Sequence, residues 1–367
     1  MPVDFLTDEQ AARYGRYAEP PSRAHVDRFF HLDDADWELI APKRREANRL
    51  GFAVQLCTAR ALGTFPTDLG EVPENAVAYL AEQLGIDDPA CLGDYAVREQ
   101  TRLDHAEEIR RACGFEDFSD KQDELRTWLQ AQVWTTTDGP KALFDGAVAW
   151  ILRRAVLLPG VTTLTRLVAQ VREEVTERLW TTLCSLLSPA QQAGLEALLA
   201  VPEGQRASNL ERLRRGPTRR SGQEMVRALD RVAEIFGLGL GEVDLSAFPA
   251  RRITEMARYG LSGKAPVLRR HDDPGRLATL LATVVHLQAR AVDDALELLD
   301  LLMTTKLLAQ AERESTKEQV RRLPRMNTES AKLAAAVGAL FEATPGPGDG
   351  VDAAAVNLAQ VLMRRPR

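Results

Sequence analysis

Apolar residues recur every three or four positions along most of the chain, which is the spacing of one buried helix face. Alternating runs of β-branched residues, which would predict strands, are scarce. Thr7 and Gln10 have the spacing of a capping box at a helix start, and Gly63 follows the last apolar position of a later helix. The pattern therefore predicts an all-α protein.

Turn-rich segments divide this helical pattern into four regions, the first boundary being the Thr-Thr-Thr-Asp-Gly-Pro run at 135–140. The predicted regions are an N-terminal helical domain (1–140), a second helical domain (141–273), a helical linker or dimerisation segment (274–343) and a flexible tail (344–367). The third region reads as two helices broken at Leu323 and Pro324. Its Leu-rich stretch, 277–308, would pack either against a partner or within the chain.

Charge is divided unevenly along the chain. The net charge is −6, but residues 1–150 carry a balance of −12 and residues 151–367 a balance of +6. A basic half joined to an acidic half suits a polyanionic partner on the basic side. Solvated helix faces explain the same charges, so both interpretations stay open.

Signatures of common enzymes and of bound cofactors are absent from the sequence. It has no His-Glu-x-x-His, no Gly-x-Ser-x-Gly and no paired-cysteine motif, and the glycine-rich stretches have the wrong spacing for a phosphate loop or a dinucleotide site. We therefore expect no metal, cofactor or small-molecule substrate. The N-terminus lacks a signal-peptide core and no apolar run is long enough to span a membrane, so we expect a cytoplasmic protein.

The first candidate contact surface lies in 94–115, which the pattern predicts to be one helix ending at Gly114 and Phe115. On that helix Arg98, Arg102 and His105 fall within about 60° of one another. Two guanidinium groups and an imidazole on one stripe suit phosphate contacts. Internal pairing with nearby carboxylates is the alternative.

The second candidate has the form of a helix-turn-helix, with a helix at 141–158, a Pro-Gly turn and a second helix capped near Thr163. In such a unit the start of the second helix meets base edges and the first helix crosses the backbone. The expected contacts are Arg153, Arg154, Thr163, Thr165, Arg166 and Gln170. Any helical hairpin with a glycine turn has the same pattern.

The third candidate comprises two basic stretches, 206–231 and 251–276, in which Arg greatly outnumbers Lys. Arg suits bidentate phosphate contacts, although a high-GC coding bias also enriches it. The expected contacts here are Arg214, Arg215, Arg219, Arg220, Arg251, Arg252, Arg269 and Arg270.

Several segments resemble Tn3-family transposases in the same order along the chain. The resemblance covers roughly 1–340. It rests on 1–10, on 49–56 (Arg-Leu-Gly-Phe-Ala-Val-Gln-Leu), on 72–85, on the series Tyr95, Arg98, Thr101, His105, Ile109, Arg110, Gly114 and Phe115, and on 293–303 and 309–315.

The resemblance implies two consecutive helical DNA-binding domains that recognise the terminal inverted repeats of a transposon. It implies that the ribonuclease-H-like catalytic domain of that family, with its Mg²⁺, lies beyond the similar region. We therefore expect a truncated DNA-binding portion that is not itself an enzyme. Its partner would be double-stranded DNA, with nucleoid association when bound and a possible homodimer. The alternative is a dimerising or regulatory remnant without specific DNA binding.

Overall fold

The computed structural model describes residues 5–304 and 323–342. These residues form α-helices joined by loops and short 3-10 turns, with one isolated parallel bridge between Glu116 and Val156. The all-α prediction is confirmed. Packing divides the chain into two compact units: unit one is Met1–Trp134 with Asp138–Val175, and unit two is Thr135–Thr137 with Thr176–Arg367.

Ten helices contribute to unit one, and the tenth continues into unit two after Val175. They are α1 (Asp8–Arg13), α2 (Arg23–Phe29), α3 (Asp34–Ile40), α4 (Glu46–Leu62), α5 (Glu74–Leu84), α6 (Leu92–Ala96), α7 (Glu99–Ala112), α8 (Phe118–Thr135), α9 (Pro140–Arg153) and α10 (Val161–Ser185).

Unit one contains two apolar clusters. The first surrounds α4, whose residues from Leu50 to Ala59 are all buried, and α2, α3, α5, α6 and α7 contact it. The second combines α8, α9 and the first half of α10, with Leu129, Ile151 and Leu164 fully buried. Burial of each such side chain stabilises the fold by about 1.5–3 kcal/mol before entropy is counted.

The predicted helix ends of the first region are mostly confirmed. Thr7 accepts from the Gln10 N–H, and the Gln10 side chain accepts from the Thr7 N–H, which completes the capping box. Asp33 and Asp36 form a second box at the start of α3. Helix α4 ends at Gly63, whose φ of 71° is in the left-handed region that favours glycine.

The predicted single helix over 94–115 is wrong, because the chain leaves the helical path at Arg98 (φ −97°, ψ 76°) between α6 and α7. The reason lies in the contact of Tyr95 with His105. On a straight helix these two residues would be about 15 Å apart along the axis. The break brings the Tyr95 hydroxyl to 2.9 Å from the His105 Nδ1.

Unit two contains the remaining helices of the described residues. They are α11 (Pro189–Ala197), α12 (Asn209–Leu213), α13 (Gly222–Phe236), α14 (Ala250–Ser262), α15 (Ala265–Leu268), α16 (Asp273–Leu302) and α17 (Leu323–Glu342).

Helix α16 forms the centre of unit two, with α11, α13 and α14 packed against it. Most of its apolar side chains from Leu277 to Leu298 are buried among these helices, while Leu296 is 48% exposed. Gly260 of α14 lies directly against Thr283, so the two helices approach closely at that point. Most of the described part of the Leu-rich stretch therefore packs within the chain; residues 305–308 lie outside the described residues.

The division between the units differs in position from the predicted boundary at 140, because α9 and the start of α10 bury their apolar faces against α8. The predicted four-region organisation itself remains a prediction, and the tail at 344–367 lies outside the described residues. Within the described part of the chain, no helix has the length and apolar character needed to cross a bilayer.

Candidate nucleic-acid interface

His105, one of the three residues of the first candidate stripe, is buried in a polar network beneath α7. The Tyr95 hydroxyl donates to its Nδ1 at 2.9 Å, and the Gln55 amide donates to the same hydroxyl oxygen at 2.5 Å. Burial lowers the pKa of His105, and the Lys43 ammonium lowers it further, while Glu108 and Asp104 act in the opposite direction. The imidazole is therefore a neutral acceptor with little surface to offer a ligand.

The two arginines of that stripe have different environments. Arg102 donates to the carbonyl oxygen of Thr67 at 2.8 Å and to that of Ala96 at 3.4 Å, so its guanidinium joins the loop at Thr67 to the C-terminal end of α6. Arg98 lies at the N-cap of α7 and is half-buried. The geometry favours the internal network that was the alternative for this stripe, and a DNA contact by these residues stays a prediction.

The second candidate, around 140–170, consists of two helices as expected, but its bounds differ. The first helix ends at Arg153 and not at 158, because Ala155 adopts a φ of 52°. The following residues are extended: the Glu116 N–H donates to the Ala155 carbonyl and the Leu157 N–H donates to the Glu116 carbonyl, both at 3.0 Å. Seven residues, 154–160, therefore connect α9 to α10, and the helix-turn-helix geometry remains a prediction.

The expected contact residues of this candidate are mostly on the surface. Arg153, Thr163 and Arg166 are exposed. The Arg154 guanidinium lies 4.1 Å from the centre of the Trp150 ring, a cation–π contact that keeps its charge accessible. The two others are engaged internally: the Thr165 hydroxyl donates to the Thr162 carbonyl, and the Gln170 amide donates to Glu174.

Three arginines expected to contact DNA have internal partners in unit two, and their DNA contact stays a prediction. Arg214 donates to the carbonyl oxygens of Gly260 and Gly263, and burial lowers the pKa of its guanidinium. Arg269 donates to the Leu199 carbonyl at 2.5 Å. Arg252 pairs with Glu255 at 3.3 Å and has a side chain only 14% exposed.

The other arginines expected in the basic stretches are exposed and have no acidic partner among residues 5–304. They are Arg215, Arg219, Arg220, Arg251 and Arg270.

The loop 214–221 holds three of these arginines at the start of α13, where Ser221 is the N-cap. Contacts with Arg231 and Asp294 fix the conformation of this loop. Arg231 donates to the Leu213 carbonyl at 2.7 Å and to the Asp294 carboxylate at 2.6 Å, and Gly216 packs directly against that carboxylate. The three exposed guanidinium groups of this loop are suited to phosphate contact, although the first turn of α13 itself carries the carboxylate of Glu224.

Comparison with known proteins bears on this arrangement. A family model described as a domain of unknown function (DUF4158) matches residues 5–171, a segment that ends close to the limit of unit one. The transposase for transposon gamma-delta of Escherichia coli (strain K12) is 38% identical over 344 residues, which cover 93% of this chain and 34% of that protein. The resemblance to Tn3-family transposases is confirmed.

Two further transposases support the same relationship. The transposase for transposon Tn4556 of Streptomyces fradiae is 59% identical over 144 residues, 39% of this chain and 16% of that protein. The transposase for transposon Tn1546 of Enterococcus faecium is 26% identical over 299 residues, 81% of this chain and 30% of that protein. The chain thus spans about a third or less of the length of the Tn3-family relatives that it matches.

The structure adds residues that sequence reasoning did not select. Arg231 and Asp294 are 63 positions apart, and no local pattern indicates that they pair. Arg258 lies in the second basic stretch, but it was not among the expected contacts. Its spacing of seven residues from Arg251 on one helix was the signal that could have singled it out. Among the described residues, no group of three potential metal-binding side chains occurs.

Proposed function

We propose that this chain is the DNA-binding portion of a Tn3-like transposase and that it recognises the terminal inverted repeats of its transposon. The observation that carries the proposal is the set of exposed arginines without carboxylate partners in the described residues, in a chain similar to transposases along 93% of its length. Such guanidinium groups contribute affinity for the phosphate backbone.

Arginines with internal partners and arginines without them have separate tasks in this proposal. Arg214, Arg231 and Arg269 stabilise the fold through carbonyl and carboxylate oxygens, while Arg219, Arg220 and their exposed neighbours bind phosphates. The proposal assigns the strand-transfer reaction and its Mg²⁺ to a catalytic domain of the transposase, not to these helices. Association with a second copy on paired transposon ends and with the nucleoid belongs to the same proposal.

The test measures affinity for labelled duplexes that tile the DNA on both sides of the gene, by fluorescence anisotropy at about 0.15 M salt. Each tile has a shuffled duplex of the same composition as its control. At least one tile should bind 10³-fold or more tightly than its shuffled control, the lower end of the range for specific DNA-binding proteins. Equal affinity for every tile and its control would favour the dimerising remnant, and light scattering would then detect its oligomer.

Strand-transfer activity is tested separately. Incubation of the chain with a tile that it binds, in the presence of Mg²⁺ or Mn²⁺, should leave both strands intact. Strand cleavage at the tile's end would contradict the assignment of the chemistry to another domain.

A further inference from the structure

Helix α14 has an exposed face that is distinct from the surfaces of the other helices. Arg251, Thr254, Glu255, Arg258 and Ser262 are all exposed. At 100° per residue they fall within about 100° of one another. The opposite side, with Ala257 and Gly260, is buried against α16. This exposed face of five residues is called the α14 face below.

The charge of the α14 face is positive and accessible. Arg251 and Arg258 have no carboxylate partner in the described part of the chain. The single acidic residue, Glu255, is held by Arg252 at 3.3 Å. A partly buried arginine therefore offsets the one carboxylate, and the two outward arginines remain available for a ligand.

Other helices of the described residues do not combine these properties. The exposed side of α10 carries Glu173, Glu174 and Glu177 beside its three arginines. The exposed side of α13 carries Asp230, and Arg227 on that side already pairs with Glu224 at 3.3 Å. A polyanion would be repelled by carboxylates on both of those surfaces, whereas α14 presents two unpaired guanidinium groups.

The dimensions of the α14 face fit duplex DNA. Arg251 and Arg258 are seven residues apart, which corresponds to about 10.5 Å along the helix axis. The major groove is about 12 Å wide and admits an α-helix. The first turn of α14 contains no acidic residue, so the positive end of its macrodipole adds to the charge of Arg251.

Residues beyond α14 extend the basic surface at its C-terminal end. The Tyr259 hydroxyl lies 2.6 Å from the His271 Nε2, and the two rings are in edge contact. This contact holds the segment that carries the exposed Arg270 beside the end of α14. Tyr259 is itself 42% exposed, so an aromatic ring accompanies the basic groups.

We propose that α14 is the helix of unit two that enters the DNA major groove, with Arg251 and Arg258 bound to phosphates of that groove. The proposal rests on the proposed function, because it names the element through which unit two binds DNA. In this proposal Arg258 takes the place of Arg252 among the expected DNA contacts.

The experiment measures the affinity of the full chain for a labelled 30-base-pair duplex of random sequence between about 0.05 and 0.3 M salt. Each phosphate neutralised by the protein contributes about 0.9 to the slope of log affinity against log salt. The double variant Arg251→Ala with Arg258→Ala should lower that slope by about 1.8 and weaken binding roughly 10- to 100-fold at about 0.1 M salt. The matching lysine double variant should restore the slope.

The matched control is Arg206→Ala with Arg290→Ala, which removes two charges from exposed positions of the same unit. Circular dichroism and the melting temperature should be unchanged in all variants, since no exchanged side chain has a described polar partner. Equal losses in the two alanine variants would overturn the proposal, because net charge would then explain them. An unchanged slope in the α14 variant would also overturn it. If the unmodified chain binds no DNA, the proposed function itself fails.

Discussion

A buried imidazole needs hydrogen-bond partners, and His105 obtains one from the Tyr95 hydroxyl. The neutral ring accepts at Nδ1, whereas a protonated ring would have to donate there. The hydroxyl would then lose its acceptor inside an apolar cluster that includes Phe52. Protonation of His105 therefore opposes the folded state.

The stability of the chain should consequently fall as the pH decreases through the ordinary His pKa of about 6.5. The pKa of His105 is lowered in the folded protein, so the unfolded state binds more protons below that pH, and stability is lost as the pH falls from there toward the folded-state pKa. Urea unfolding between pH 5 and 7 measures this loss. The His105→Asn variant should have a weaker pH dependence in this window; an unchanged dependence would assign it to other groups.

The resemblance found in the sequence included Tyr95 and His105, but periodicity misplaced them on one continuous helix. Local spacing records which residues face one side. It does not show that Tyr95 and His105, ten positions apart, form a hydrogen bond, and this bond requires the chain to bend at Arg98. The helix caps were predictable because both partners lie within four residues of each other.

Gly51 offers a second test at the residue scale. It lies inside α4, where a methyl group would collide with the Tyr95 ring. Alanine is a better helix former than glycine by about 1 kcal/mol, but overpacking a core costs about 1–3 kcal/mol. Because the ring is fully buried, we expect Gly51→Ala to lower the free energy of unfolding by about 2 kcal/mol. Gly93→Ala, in a helix with open space, is the control and should be neutral or stabilising.

At the scale of elements, the arginines of the basic stretches form two groups, those with hydrogen-bond or ion-pair partners inside the fold and those without. Sequence composition identified the two basic stretches and assigned Arg214, Arg252 and Arg269 to DNA along with the arginines that have no internal partner. Arg214 and Arg269 donate to carbonyl oxygens that are 46 to 70 positions away in sequence, whereas Arg252 pairs with Glu255 only three positions away. No window of local sequence contains both partners of the long-range bonds, so these bonds could not be predicted from it.

The Arg231 and Asp294 pair joins α13 to α16 and should be important for stability. Replacing Arg231 by Met leaves a mostly buried carboxylate unpaired, and we expect a loss of about 3 kcal/mol in urea unfolding. The double variant Arg231→Met with Asp294→Leu should recover part of that loss. Arg212→Met is the matched control, because its pair with Glu234 is about 40% exposed on both sides and should cost at most about 1 kcal/mol. Equal losses for the two single variants would contradict the structural role of Arg231.

At the scale of the whole molecule, packing and the family match divide the chain at similar positions, and the charge differs between the two parts. The net charge changes from −12 over 1–150 to +6 over 151–367. Packing divides the chain after Val175, and the family match ends at residue 171. The boundary predicted from the turn-rich run at 135–140 lies earlier, because turn residues mark chain reversals within a packed unit as well as between units.

If the basic part supplies most phosphate contacts, removing arginines from it should lower the salt slope more than removing arginines from the acidic part. The triple variant Arg215→Ala, Arg219→Ala and Arg220→Ala should lower the salt slope for a random duplex by up to about 2.7, because each phosphate contact contributes about 0.9. Arg44→Ala with Arg45→Ala removes exposed charges from the acidic part and should leave the slope unchanged. Filter-binding titrations at five salt concentrations resolve a difference of this size. If the salt slope decreased by the same amount per removed charge in both variants, DNA binding would depend only on the total charge of the chain. The separation of a DNA-contacting basic part from an acidic part would then be wrong.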